Sequence, residues 1–272
     1  DVTTDPGGIR IHKIRIDKRG RPWFLGIGKF APPPGDQKPG AFVLDGGHFT
    51  RWGEQEGLPS GCVYSFEEGP DSALWFGTLG GLSRWKQGRW KHWTVNEGLH
   101  HARVFTLATD ATHGAWFGDY TERNGLGYID EHDLVRYFST ADGLIDDKIW
   151  DLRTDASGKL WIATNGGLCC YSDGKWTTFD EKSGLLHLAL WPVLPLEHQI
   201  YVGTMGRGVA ILHREESLTP SPRIVLDKPL TEGRNLLLRW KAFSYWGEVA
   251  PQDILTRYRV NDGPWSAWDK RK

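Results

Sequence analysis

An aromatic residue followed within two or three places by a small one returns five times along this chain of 272 residues. The copies are Trp23-Phe24-Leu25-Gly26, Trp75-Phe76-Gly77-Thr78, Trp116-Phe117-Gly118, Trp161-Ile162-Ala163-Thr164 and Tyr201-Val202-Gly203-Thr204. Their aromatics stand 52, 41, 45 and 40 residues apart. A period of this size means units that cannot bury a hydrophobic face alone and must stack on their neighbours. The long first interval holds Ala31-Pro32-Pro33-Pro34-Gly35-Asp36-Gln37-Lys38-Pro39-Gly40, which reads as a stiff loop insertion rather than a further unit.

The order of signals inside each unit is constant. Asp17-x-x-Gly20 precedes Trp23, Asp155-x-x-Gly158 precedes Trp161, and Asp110 with Gly114 precedes Trp116. Asp can accept from its own turn backbone and Gly supplies positive φ, so each pattern reverses the chain into a short strand. A second turn follows at Gly80-Gly81, Gly125-Leu126-Gly127, Gly166-Gly167 and Gly206-Arg207-Gly208, and a third at Gln87-Gly88 and Asp173-Gly174. Each unit closes on Glu56-Gly57-Leu58, Glu97-Gly98-Leu99, Asp142-Gly143-Leu144 or Ser183-Gly184-Leu185, and then an apolar strand opens the next. Four short strands per unit and almost no helical periodicity predict an all-β chain, a β-propeller of about five four-stranded blades over residues 1–218. Trp23, Trp75, Trp116, Trp161 and Tyr201 are then wedges between blades, and the small residue after each lets the next sheet approach.

Composition follows from this architecture and removes other classes. The chain has 34 Gly and 15 Trp, yet 12% aromatic content is incompatible with a disordered linker, and the glycines lack collagen's three-residue period. Lys and Arg number 33 against 34 Asp and Glu, so no basic field marks a nucleic-acid partner. No apolar run is long enough for a membrane helix, and Asp1-Val2-Thr3-Thr4-Asp5 is not a signal peptide, so the chain reads as a processed or excised piece without membrane contact of its own. Three cysteines, Cys62 and the adjacent pair Cys169 and Cys170, fit neither a disulfide framework nor zinc spacing and read as small strand hydrophobes.

The segments Trp75-Phe76-Gly77-Thr78-Leu79-Gly80-Gly81-Leu82 and Leu160-Trp161-Ile162-Ala163-Thr164-Asn165-Gly166-Gly167-Leu168 resemble the regulator-propeller repeats in the sensor region of bacterial hybrid two-component histidine kinases. The resemblance runs from about Ile11 to Leu212. After Pro220-Ser221-Pro222 the period stops, and Arg223-Ile224-Val225-Leu226, Leu236–Ala242 and Thr256–Trp268 read as strands, the last closing on Asn261-Asp262-Gly263. This part is similar to the start of the triple-tyrosine domain, an immunoglobulin-like sandwich, with Tyr258 as a family tyrosine; residues 219–272 are too few for a complete one. The resemblance implies a periplasmic or extracytoplasmic sensor of a bacterial inner-membrane protein, a small-molecule ligand such as an oligosaccharide, and a homodimer contact through the sandwich. It also implies seven blades where five are found, leaving either a five-bladed ring or part of a larger one. Blade five lacks an outer strand after Ala210-Ile211-Leu212, for which Ile9-Arg10-Ile11 or the segment near Arg223 are the candidates. Streptogramin lyases carry a similar Trp-Phe-x-small repeat, which makes a propeller lyase the rival reading.

Ligand contacts on a propeller come from loops that differ between repeats. Two loop sets open at one end: those entering each innermost strand and those following each wedge aromatic. They bring His101, Arg103, Tyr120, Arg123, Lys148, Asn165, His187 and Arg207 to one mouth, a mixture suited to hydrogen-bonding and stacking on a polar or sugar-like ligand. Catalytic patterns are missing: no Gly-x-Ser-x-Gly, phosphate loop or His-Glu-x-x-His occurs. His100-His101 project to opposite faces of a strand, and the neighbours Asp146-Asp147 cannot flank a glycosidic bond. Neither an enzyme activity, a metal nor a cofactor is expected of this segment.

Overall fold

The computed structural model describes residues 9–27, 38–121 and 123–213, the backbone of four short strands between 223 and 243, and residues 256–259, 263–264, 266–267 and 269. Five antiparallel sheets follow one another along the chain, each in strand order equal to sequence order. Blade 1 is Arg10–Ile16, Pro22–Ile27, Ala41–Asp45 and His48–Trp52; blade 2 is Val63–Glu68, Leu74–Thr78, Gly81–Lys86 and Arg89–Trp93. Blade 3 is Thr106–Thr109, Ala115–Gly118, Leu126–Ile129 and Val135–Phe138; blade 4 is Ile149–Thr154, Leu160–Thr164, Leu168–Ser172 and Lys175–Phe179. Among the described residues blade 5 has three strands, Leu190–Pro195, Gln199–Thr204 and Gly208–His213. The propeller read from the repeat is therefore the observed fold. Neither candidate for its missing fourth strand supplies it: Arg10–Ile16 is the innermost strand of blade 1, and Arg223–Leu226 pairs with Trp240–Phe243.

The aspartates before Trp23 and Trp161 do more than close a turn, whereas Asp110 before Trp116 accepts from the Tyr128 hydroxyl instead. Asp155 Oδ1 accepts from the Ser157 and Lys159 amides at 2.9 and 3.1 Å, while Oδ2 accepts from the Trp161 indole at 2.9 Å. Asp17 repeats this on Arg19, Arg21 and Trp23. The turn and the wedge are thus fixed by one carboxylate, which explains the six-residue spacing. Between blades the chain makes a single helical turn, at Glu54–Glu56, Val95–Glu97, Thr140–Asp142 and Glu181–Ser183, that periodicity cannot reveal at this length. The Gly after each has φ between 98° and 116°, a left-handed value that only Gly adopts cheaply, and the next residue, Leu58, Leu99, Leu144 or Leu185, is buried.

Four seams between consecutive blades hold four buried clusters. In each, a wedge meets an apolar residue of the next innermost strand: Trp23 stacks on Phe66 at 4.3 Å, and Trp75, Trp116 and Trp161 share clusters with Leu107, Leu152 and Val193. The small residue after the wedge has its expected purpose. A Cβ on Gly77 would lie 2.7 Å from the Val104 carbonyl oxygen, and one on Gly118 would lie 2.5 Å from Ile149 Cβ, in both cases on the chain entering the next blade.

The fifth seam differs. Ile14, the register equivalent of Phe66 and Leu152, is 53% exposed, and Ile16 is 63% exposed. Across from them Val209 is 61% and Ile211 46% exposed, and Tyr201 is only half-buried. Among the described residues no buried cluster joins blade 5 to blade 1. Their inner ends still meet, with His12 and Trp191 rings parallel at 6.4 Å.

Beyond the blades, Leu230–Glu232 pairs with Asn235–Leu237, so the strand read at Leu236–Ala242 is two strands. Thr256 bridges Asp269 and the Ser266 amide donates to the Tyr258 carbonyl oxygen, placing these segments antiparallel on either side of 259–264. The proline-rich stretch 31–37, Glu122 and the boundary region 214–222 lie outside the described residues.

Candidate functional site

Four of the five innermost strands carry a bulge near the loop face, after Ile11, Val63, Ile149 and Leu190. A bulge adds a residue without a ladder partner and re-aims its side chain. At these positions stand His12, Tyr64, Trp150 and Trp191, and Phe105 takes the same place in blade 3. The five rings converge on the axis. His12 lies 5.7 Å from Tyr64 and 5.2 Å from Phe105, and Tyr64 lies 5.7 Å from Phe105. Tyr120, from the loop after the blade 3 wedge, stacks on Trp150 at 4.0 Å and meets Phe105 edge-on at 4.6 Å. The mouth thus ends on an aromatic floor. Trp191 is 37% exposed, Tyr64, Tyr120 and Trp150 are half-buried, and Phe105 is buried at its centre. Nε2 of His12 and the Trp150 indole nitrogen are buried there without a hydrogen-bond partner. Burial, with Lys13, Arg10 and Arg15 nearby, pushes His12 below the ordinary histidine pKa, so the ring is neutral at pH 7.

The sequence-predicted loop residues divide into three groups. Arg103 and Tyr120 join the floor: Arg103 forks onto Asp119 through Nε at 2.5 Å and Nη2 at 3.0 Å, reaches the Thr121 hydroxyl, and lies 5.3 Å over the Tyr120 ring. Bidentate pairing with a carboxylate that is only 4% exposed makes this a rigid side wall for Tyr120. His101 and His187 occupy a repeated capping position. Nδ1 of each accepts the amide two residues on, at 3.0 and 3.1 Å, as Ser60 Oγ and Asp146 Oδ1 do in the other repeats. Lys148 is half-buried, its carbonyl oxygen accepting from the Asn165 amide at 3.2 Å, whereas Arg123, Asn165 and Arg207 are exposed. His12, Tyr64, Phe105, Trp150 and Trp191 escaped the sequence reading although a signal exists. They stand 52, 41, 45 and 41 residues apart, each directly after an aliphatic residue, in phase with the wedges.

Below the floor the axis is charged. Lys13 reaches across it to Asp151 at 3.1 Å, and Asp151 Oδ2 accepts from the Val193 amide. Burial pulls the Lys13 ammonium down to about 8, partly offset by Asp151. Burial pushes Asp151 up, but Lys13, Arg153 and Arg15 outweigh it and hold the carboxyl below its usual range. Among the described residues there is no group of three or more His, Cys, Asp or Glu side chains able to hold a metal ion, and no helix long and apolar enough to cross a membrane.

A two component regulator propeller family model matches residues 143–166, the segment from the Gly after the blade 3 helical turn through the blade 4 wedge. No curated protein matches the sequence. Among solved structures, the extracellular domain of a putative hybrid two component system from B. thetaiotaomicron is 15% identical, with a TM-score of 0.50 over 96% of this chain and 33% of that one. A second ectodomain of that description from the same organism is 17% identical, with a TM-score of 0.47 over 91% of this chain and 40% of that one. Virginiamycin B lyase from Staphylococcus aureus is 12% identical, with a TM-score of 0.56 over 88% of this chain and 79% of that one. At these identities the likeness is one of fold. The chain spans well under two thirds of either ectodomain.

Proposed function

We propose that this chain is the ligand-reading propeller of an extracytoplasmic two-component sensor, binding a small molecule with a flat, hydroxylated face, such as an oligosaccharide, on the aromatic floor. One observation carries the reading: five inner strands each deliver an aromatic ring to the axis at the face where the variable loops gather. At the four seams with buried clusters blade packing does not require these rings, because the wedges already fill them. Half-exposed Tyr120 and Trp150, with Arg103 fixing Tyr120, offer stacking surface and donors. The matched regulator-propeller segment supports the sensor class. In this reading the segment after the propeller is the start of a triple-tyrosine sandwich that relays the bound state, and a relay requires ligand to bind two arrangements of the molecule differently.

The rival, a propeller lyase acting on a streptogramin, rests on shared fold. Capping bonds accepted by Nδ1 of His101 and His187 favour the binding reading, because a neutral ring accepting at Nδ1 carries its proton on Nε2 and has no lone pair left to act as a general base. The test is calorimetry of the 272-residue chain against an oligosaccharide panel, with Trp150→Ala and Tyr120→Ala expected to weaken any hit about tenfold, the order of a lost stacking contact. No hit across the panel, or streptogramin turnover, would sink the proposal.

A further inference from the structure

Strand register sorts the axis below the floor into two layers. Opposite the wedges Trp23, Trp75, Trp116, Trp161 and Tyr201 stand Arg15, Glu67, Ala108, Arg153 and Leu194. Two residues nearer the floor stand Lys13, Ser65, Thr106 and Asp151, with Pro192 in blade 5. The two layers hold three cations, Lys13, Arg15 and Arg153, against two carboxylates, Glu67 and Asp151, and blades 3 and 5 contribute no charge.

The pairing is correspondingly incomplete. A single oxygen, Glu67 Oε1, accepts from Arg15 Nε at 3.2 Å and from Arg153 Nη1 at 2.9 Å. Nε of Arg153 is buried with no hydrogen-bond partner, 3.9 Å from Asp151 Oδ2, and Ser65 Oγ is buried in the same condition. Burial first, and then the Arg153 charge, lowers the Arg15 pKa. A surplus cation with an unused N–H inside a protein is expensive unless an anion completes it. The layer is reachable, since the Glu67 and Arg153 side chains keep 26% and 23% of their exposure. His12 above is neutral and Thr106 donates to Asp151, so neither supplies the missing negative charge.

We infer that the axis binds a small oxyanion, a phosphate, sulfate or carboxylate group, between the Arg15 and Arg153 guanidiniums, with the Lys13 ammonium beside them. Planar guanidiniums with free N–H edges match such oxygens in pairs. The site is separate from the floor and does not depend on what the mouth binds.

The test is titration of the 272-residue chain with inorganic phosphate against chloride at constant ionic strength, read by calorimetry and thermal shift. Arg153→Gln is expected to weaken phosphate about tenfold, the loss of one charge-assisted contact. Glu67→Gln, which removes the competing carboxylate, is expected to tighten it severalfold. Exposed Lys175→Gln leaves it unchanged. Absence of phosphate binding, or binding that Arg153→Gln and Lys175→Gln alter equally, overturns the inference. Should Arg153→Gln fail to fold, Glu67→Gln decides alone: a structural ion-pair network predicts lower stability with no gain in phosphate affinity.

Discussion

Asp155 holds two amides, the Ser157 hydroxyl and the Trp161 indole, so its removal takes four hydrogen bonds from one turn, including the acceptor of a buried indole N–H. Asp155→Ala should therefore cost about 3 kcal/mol in urea unfolding, the range for losing a charged acceptor from a buried donor. Exposed Glu131→Ala should cost close to nothing, and equal losses would show that the carboxylate is not the anchor. Burial pushes the Cys169 thiol up to about 12, and Cys170 is as deeply enclosed. Under native conditions an alkylating reagent should modify Cys62, which is half-buried, and spare both others until the chain unfolds. Native-rate labelling of Cys169 would contradict the packing of blade 4. Lys13 carries a pH signature: its pKa in the fold is about 8 against an ordinary 10.5, so between those values the unfolded chain holds a proton that the folded one has released. Unfolding free energy should rise with pH across that window, and the rise should be smaller in Lys13→Met.

Within each blade the repeat lettering specified strand order, turn positions and wedge identity, because a tight antiparallel hairpin is a local object whose register follows from its turn. Gly118 tests the inter-blade contact. A Cβ there runs into Ile149, so Gly118→Ala should lose about 2 kcal/mol by overpacking. Gly158, at φ 85° with nothing within 4 Å, should lose only about 1 kcal/mol as Ala, from backbone strain alone. Comparable chemical-denaturation midpoints for both would remove the distinction between crowding and conformation. The helical turns at Val95–Glu97 and its equivalents were not legible, since three residues show no period. One of them leaves a local trace: the Thr94 amide donates to Glu97 across Thr94-Val95-Asn96-Glu97 at 2.9 Å, a capping-box spacing.

At the scale of the molecule the seam between blade 5 and blade 1 is the weak point. The other four seams each bury a wedge under the next blade, whereas Ile14, Ile16, Val209 and Ile211 remain exposed. Amide hydrogen exchange should find the strands Gly208–His213 and Arg10–Ile16 opening well before Leu74–Thr78 and Leu160–Thr164, and uniform protection would mean that the seam is closed in solution. The sequence by itself determined the all-β class, the repeated four-stranded unit and the wedges, because each depends on contacts within one repeat or between consecutive repeats. Only the tertiary structure decided three things: which rings meet in the aromatic floor, the surplus charge around Arg15 and Arg153, and a fifth seam without a buried cluster among the described residues. Each of these depends on residues from separate blades meeting across the axis or around the ring. His12 to Trp191 and Lys13 to Asp151 are contacts between blades far apart in sequence; the periodic aromatic after an aliphatic residue carries the floor's spacing, but not which side chains touch across the axis.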